Sequence, residues 1–176
     1  PMVIASIAKL GFDIRDVKVL LNSEPHPDHA GGLGVLKTAS GAQLWASEAS
    51  AYSLESGGDD PNAFLPLRAL LRLGVVGYPP MQVDHRIKDG DVVRLGPLAL
   101  TAHLTGGHSS GCTSWSFTVQ DGERTLNVVS ACDLGRLATG QYPEQQADLE
   151  HSIQTLRGLP VDIWVTCHTR WWGRYR

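Results

Sequence analysis

A layered α/β domain is the fold this sequence predicts, on three observations. Helix-like and strand-like segments alternate towards both ends of the chain. Short alternating strands separated by Asp-Gly turns fill residues 85–131. The 176 residues are 42% hydrophobic and only 19% charged, enough apolar side chain for a sizeable core and too little charge for a disordered chain. Alternating elements on either side of a meander pack most simply as layers. Residues 1–176 carry no internal repeat and no low-complexity linker, so they read as one domain, or most of one.

The elements follow in order. Residues 2–10 read as a helix stopped by Gly11. DVKVLLNS (16–23) suits a short buried strand and empties into the loop EPHPDHAGG (24–32), with a helix over 33–39 and a strand over 42–46 after it. Ser47 is placed to cap a helix of EASAYSLES that ends at Gly57 and Gly58. Residues 57–66 read as polar loop and 67–73 as helix. HRIKDGDVVRLG predicts two short strands around a turn at Asp89 and Gly90, residues 98–105 a third, and 113–120 and 124–131 a pair joined at Asp121 and Gly122. After Pro143 an amphipathic helix is expected, with Leu149, Ile153 and Leu156 on one face, and VDIWVTCH (161–168) forms a last strand.

Several function classes drop out. Fifteen basic against eighteen acidic side chains leave no basic excess to neutralise phosphates, which argues against nucleic acid as a partner. No apolar run is long enough to span a bilayer. Cys112, Cys132 and Cys167 form no CxxC pair, so neither a disulfide framework nor a thiolate zinc cage is indicated. No signal-peptide pattern follows Pro1 and Met2.

Chemistry concentrates in residues 23–29, where Ser23, Glu24, His26, Asp28 and His29 surround Pro25 and Pro27. The loop follows a buried strand, the position where α/β folds present their sites. If the prolines keep the backbone extended, positions 24, 26 and 28 project to one side, while His29 opens a helix and serves a different centre. Imidazoles and carboxylates at this density suit zinc. Three more strand ends carry ligand-type residues: His108 in TGGHSSG, whose small residues would let backbone approach a ligand, Asp133 after LNVVSAC, and His168 after VDIWVTC.

The run SEPHPDHAGG resembles the HxHxDH signature of the metallo-β-lactamase superfamily, with Glu24 in place of the first His. LNSEPHPDHAGGL (20–33), LESGGDDP through YPP (54–80) and LTAHLTGGHSSGCTSWSF (100–117) narrow the likeness to subclass B3 metallo-β-lactamases. The resemblance implies an αββα sandwich with two zinc ions. Glu24, His26 and His108 would hold the first; Asp28, His29 and His168 would hold the second. A metal-bound hydroxide would attack the amide of a small β-lactam substrate, with Asp28 as the catalytic carboxylate that orients it. Ser109 and Ser110 would be placed to meet a substrate carboxylate. The resemblance also implies a periplasmic or secreted protein active in β-lactam resistance. It says nothing of oligomeric state.

Three departures qualify that picture. Glu24 adds a negative charge to the first site, so an anionic β-lactam is attracted less strongly. Asp133 stands where subclass B3 enzymes carry Ser and where thioesterase, phosphodiesterase and lactonase relatives carry a metal-bridging Asp; a one-residue slip would put Cys132 there instead. The strands that open the family fold and the helix that closes it have no counterpart in the chain. The expected activity is therefore zinc-dependent β-lactam hydrolysis. A lactone, thioester or phosphodiester hydrolase is the alternative raised by Asp133, and an inactive metal-binding remnant the one raised by the missing elements. Of the remaining residues, His103 is expected to be structural, His85 and His151 to lie on the surface, and Arg170, Trp171, Trp172 and Arg174 either to line the groove or to pack as a tail.

Overall fold

The computed structural model describes residues 2–61, 68–70, 73, 75–135 and 142–168. Residues Arg170, Trp171, Trp172 and Arg174 lie outside the described residues, as do 67, 71 and 72 of the helix expected over 67–73, whose residues 68–70 are helical. The chain divides into two compact units, Pro1–Arg86 and Ile87–Arg176.

The first unit opens with helix α1 (Met2–Lys9). A 3-10 turn at Ile14–Asp16 follows, closed by a capping box in which Asp13 and Asp16 bond each other's backbone ends. Strand β1 (Val19–Leu21) runs parallel to β2 (Gln43–Ser47) with Leu20 opposite Leu44, and helices α2 (Pro27–Ala30) and α3 (Leu33–Ser40) make the crossover. Ser47 caps α4 (Glu48–Glu55) by accepting from the amide of Ser50, as the sequence predicts. Strand β3 (His85–Ile87) completes the sheet order β1-β2-β3, and the boundary between the units falls within it. Alternate β2 residues Leu44 and Ala46 point into a core that also holds Ala30, Ala51, Leu54 and Tyr78.

Asp84 ties this core's edge together. Its Oδ2 accepts from Lys37 Nζ at 2.6 Å and from the Leu44 amide at 2.7 Å, while its own amide donates to the Leu44 carbonyl. The Lys37 hydrogen bond, with that of Leu44, holds the carboxyl below its ordinary value. A depressed folded pKa contributes stability in full above the unfolded value and loses it as pH falls through the folded one. Asp84→Asn is therefore expected to cost about 1 kcal/mol at pH 7, the range for a partly exposed charged hydrogen bond. The penalty should shrink below about pH 4, where the unfolded carboxyl begins to protonate. Urea titrations at pH 7 and pH 3 check it; equal penalties at both would contradict it.

The second unit is a five-stranded sheet, β4 (Val92–Leu95), β5 (Leu98–Leu104), β6 (Thr113–Asp121), β7 (Arg124–Ala131) and β8 (Ile163–Thr166), in that spatial order. The first four are antiparallel; helix α5 (Gln145–Gly158) returns the chain so that β8 joins β7 in parallel, with Val128 opposite Ile163 and Ala131 opposite Thr166. Asp162 fixes that register by accepting from both the amide and the side-chain amide of Asn127. Leu156 of α5 packs on Val129 and Ala131.

The expected turn at Asp89 and Gly90 forms between the two expected short strands, which lie in different sheets, β3 in the first and β4 in the second. The turn bonds to β5: Gly90 N to Ala102 O, Ala102 N to Asp91 O, and Leu104 N to Asp89 Oδ1. One expectation is corrected. Cys112 and Cys132 are joined in a disulfide, Cα atoms 5.8 Å apart, which the absence of any CxxC spacing did not suggest. The β6–β7 hairpin brings together the residue before one strand and the residue after the other, so pairing came from topology rather than spacing.

Candidate metal centre

In the first unit the site begins where β1 stops. Asn22 extends the pairing by donating its amide to Trp45 O, then donates its side-chain amide to the carbonyl of Glu24 at 2.7 Å. The next carbonyl, Pro25 O, accepts from the Tyr78 hydroxyl at 2.6 Å. The third, His26 O, accepts from the amides of His29 and Ala30, which starts α2. Three consecutive carbonyls are thus held from three places. Burial, with the charge of Asp60, keeps the Tyr78 hydroxyl above the ordinary tyrosine range and therefore protonated as a donor.

The backbone hold aims the side chains. Glu24 is 1% exposed; its Oε1 meets His26 Nδ1, and its Oε2 lies 3.5 Å from His29 Nε2. Asp28 Oδ2 lies 3.4 Å from the same His29 nitrogen, but the Asp28 side chain is 66% exposed. The expected extended alternation of 24, 26 and 28 is thereby corrected. Pro27 begins a helical turn, so Asp28 swings outward and His29, not Asp28, turns back towards Glu24. A buried carboxylate is costly without partners, and one faced by two imidazoles is a donor set that a zinc ion fits.

Tyr78→Phe removes one hydroxyl and leaves the ring in the core. It is expected to cost about 1–2 kcal/mol, the price of an unpaired buried carbonyl, and to lower zinc affinity about 10-fold, the scale of outer-sphere ligand support. Competition against a chromophoric chelator reads the affinity; unchanged binding would show that the loop needs no such hold.

In the second unit, ligand-type residues again stand beyond strand ends. His108 is 4% exposed, and its Nδ1 meets the Gly135 carbonyl, the kind of outer hydrogen bond that orients a metal-binding imidazole. In the TGGHSSG loop, Gly106 and Gly107 lie close against helix α5. A Cβ on Gly106 would lie 2.9 Å from Asp148 Oδ2, and one on Gly107 2.9 Å from Leu149 Cβ. Helix α5 then holds the loop by its carbonyls, Ser152 Oγ on Gly106 O and Gln145 Nε2 on Gly107 O. Asp133, 7% exposed, accepts from the Gly135 amide on Oδ1 at 2.6 Å and turns Oδ2 towards His168 Nε2 at 3.5 Å. The disulfide of Cys132 removes it as a thiolate ligand.

Other expectations find their places. Ser109 is buried and Ser110 more open, so of the two Ser110 has surface to offer a substrate. His103 bonds Ser116 Oγ across the sheet at 2.8 Å, and burial holds its pKa below the ordinary value, which fits a structural role. His85 stacks on Trp45 at 4.2 Å between ring centroids, and His151 is exposed on α5. Sequence reasoning missed Asn22, Tyr78, Gln145 and Ser152, none of which carries a local signal.

Residues 2–122 match the family described as the metallo-beta-lactamase superfamily. The chain belongs to that superfamily. Solved structures of subclass B3 enzymes share its fold. The Rm3 metallo-beta-lactamase is 39% identical with a TM-score of 0.83, over 96% of this chain and 63% of the other. The subclass B3 enzyme BJP-1 of Bradyrhizobium japonicum is 36% identical with a TM-score of 0.82, over 98% and 64%. Among curated proteins, a hydroxyacylglutathione hydrolase of Rhodopseudomonas palustris (strain BisB18) is 26% identical over 165 residues, 94% of this chain and 52% of that protein. The superfamily chain thus spans about half the length of the curated relatives it matches.

Proposed function

We propose that this superfamily chain carries the donor set of a zinc-dependent hydrolase whose substrate is a thioester. The residues that would hold zinc are Glu24, His26, Asp28 and His29 of the first unit and His108, Asp133 and His168 of the second. Zinc, when bound, polarises the scissile carbonyl and makes water more acidic. Glu24 and His26 are fixed by the anchored carbonyls of their loop, and the solvent-open Asp28 carboxylate receives the proton of the attacking water. Asp133 accepts from the Gly135 amide on Oδ1 and turns Oδ2 towards His168.

One observation carries the thioester reading: Asp133 is buried at the end of β7 and faces His168. A carboxylate at that position makes the second unit's donor set less positive. A thiolate, with a parent pKa near ~8.5, leaves without needing a strongly positive centre, whereas the nitrogen anion released from a β-lactam does need one. The relatives named hydroxyacylglutathione hydrolases support the same choice. The second reading is β-lactam hydrolysis, favoured by the greater identity to Rm3 and BJP-1.

The test is a substrate panel of thioester, lactone, phosphodiester, carbapenem and cephalosporin, run with zinc and with a chelator. Chelator-sensitive thioester turnover that Asp133→Ser lowers at least about 100-fold, roughly the 2.7 kcal/mol scale of one lost active-site electrostatic contact, is the expected result. β-Lactam opening that Asp133→Ser leaves intact would overturn it in favour of the second reading.

A further inference from the structure

We propose that the Cys167 thiolate is a third protein ligand, with Asp133 and His168, in a metal site contained in the second unit. The inference rests on the zinc reading and adds a sulfur donor that the superfamily signature residues do not include.

Parallel pairing sets up the cluster. Ala131 lies opposite Thr166, so continuing two residues along both strands brings Cys132 level with Cys167 and Asp133 level with His168. Cys132 is committed to Cys112, which leaves Cys167 as the thiol of this row. One oxygen of Asp133, one sulfur of Cys167 and one nitrogen of His168 all lie within 4.8 Å of one another. Bonds of about 2.0–2.3 Å in a tetrahedron put neighbouring ligand atoms roughly 3.5 Å apart. The Asp133 and His168 pair stands at 3.5 Å, so an ion on that pair needs only a small closing movement of the exposed Cys167 side chain.

The surroundings suit an ion with an open position. Asp133, Leu134, Gly135, Trp164, Thr166 and Cys167 line a cavity of about 360 Å³, room for a substrate beside the metal. The Gly135 amide on Oδ1 orients Asp133, the outer support that ligating carboxylates use. Oxygen, nitrogen and sulfur donors together select a borderline or soft cation, zinc, cobalt or cadmium, over magnesium or calcium. On binding, the thiol gives its proton to solvent and its sulfur lone pair to the metal.

The experiment titrates the purified protein and Cys167→Ser with cobalt(II), without added thiol and under nitrogen, following the visible d–d bands and the near-ultraviolet thiolate-to-cobalt charge-transfer band. Both sets of bands are expected in the wild type. In Cys167→Ser the charge-transfer band should vanish while d–d bands persist, and cobalt affinity should fall at least ~10-fold, since even outer-sphere partners are worth 10–100-fold. Wild-type d–d bands without charge transfer would overturn the Cys167 assignment and leave the metal reading standing. No cobalt spectrum at all would overturn both. A charge-transfer band that survives Cys167→Ser would place the sulfur elsewhere and overturn the assignment.

Discussion

Gly107→Ala is expected to destabilise the second unit by about 3 kcal/mol or more and to displace His108 with it. Gly107 has φ +129°, a conformation that L side chains rarely adopt, and forcing one there costs about 1–3 kcal/mol. The new methyl would also stand 2.9 Å from Leu149 Cβ and 3.0 Å from Leu149 Cα, atoms of the α5 helix that cannot swing aside. Overpacking of this kind costs about 1–3 kcal/mol more. Whatever shift relieves the clash lifts Gly107 O from Gln145 Nε2, and His108 is the next residue. Gly122→Ala is the control: φ is +60°, and nothing lies within 4 Å of the added methyl. It should cost about 1 kcal/mol, the left-handed penalty alone. Urea unfolding of both variants decides the matter. Near-equal losses would show that contact with α5 does not constrain the His108 loop.

The contrast shows what the sequence makes legible. Periodicity and capping chemistry act within a few residues, so Gly11 ended α1, Ser47 capped α4, and Leu156 could be placed on the buried face of α5 from the string alone. The density of Glu24, His26, Asp28 and His29 marked the candidate site for the same reason. What failed was whatever depends on distant partners. Proline fixes φ near the same value in extended chain and in the first turn of a helix. Nothing local therefore told residues 24–28 that the His26 carbonyl would find the amides of His29 and Ala30 and that Pro27 would open α2. Tyr78 reaches Pro25 across 53 residues, and Ser152 reaches Gly106 across 46. The Cys112 and Cys132 pair likewise depends on the β6–β7 register, which alternation predicts for each strand but not for the ends that meet.

Glu24→Ala is expected to abolish most of the zinc-induced stabilisation of the protein. A ligand that binds only the folded chain raises stability by about 2.7 kcal/mol at 100 times its Kd, so a rise in melting temperature on adding zinc reports affinity without any substrate. Glu24 is buried, and its two oxygens face His26 and His29 separately. On the proposed zinc reading, removing it takes away a ligand atom and the charge that faces both imidazoles, and affinity should fall about 100-fold or more, at or beyond the upper end of the range for outer-sphere losses. The metal-free protein should suffer far less, because an unmetallated buried carboxylate is itself costly. Glu24→His tests the charge argument apart from the ligand argument. Imidazole restores a nitrogen donor, so the zinc-induced rise should return. The site gains one unit of positive charge, so turnover of a carboxylate-bearing β-lactam should rise relative to a thioester. If zinc stabilises Glu24→Ala as much as the native chain, Glu24 is no ligand, and its burial must be explained by His26 and His29 alone.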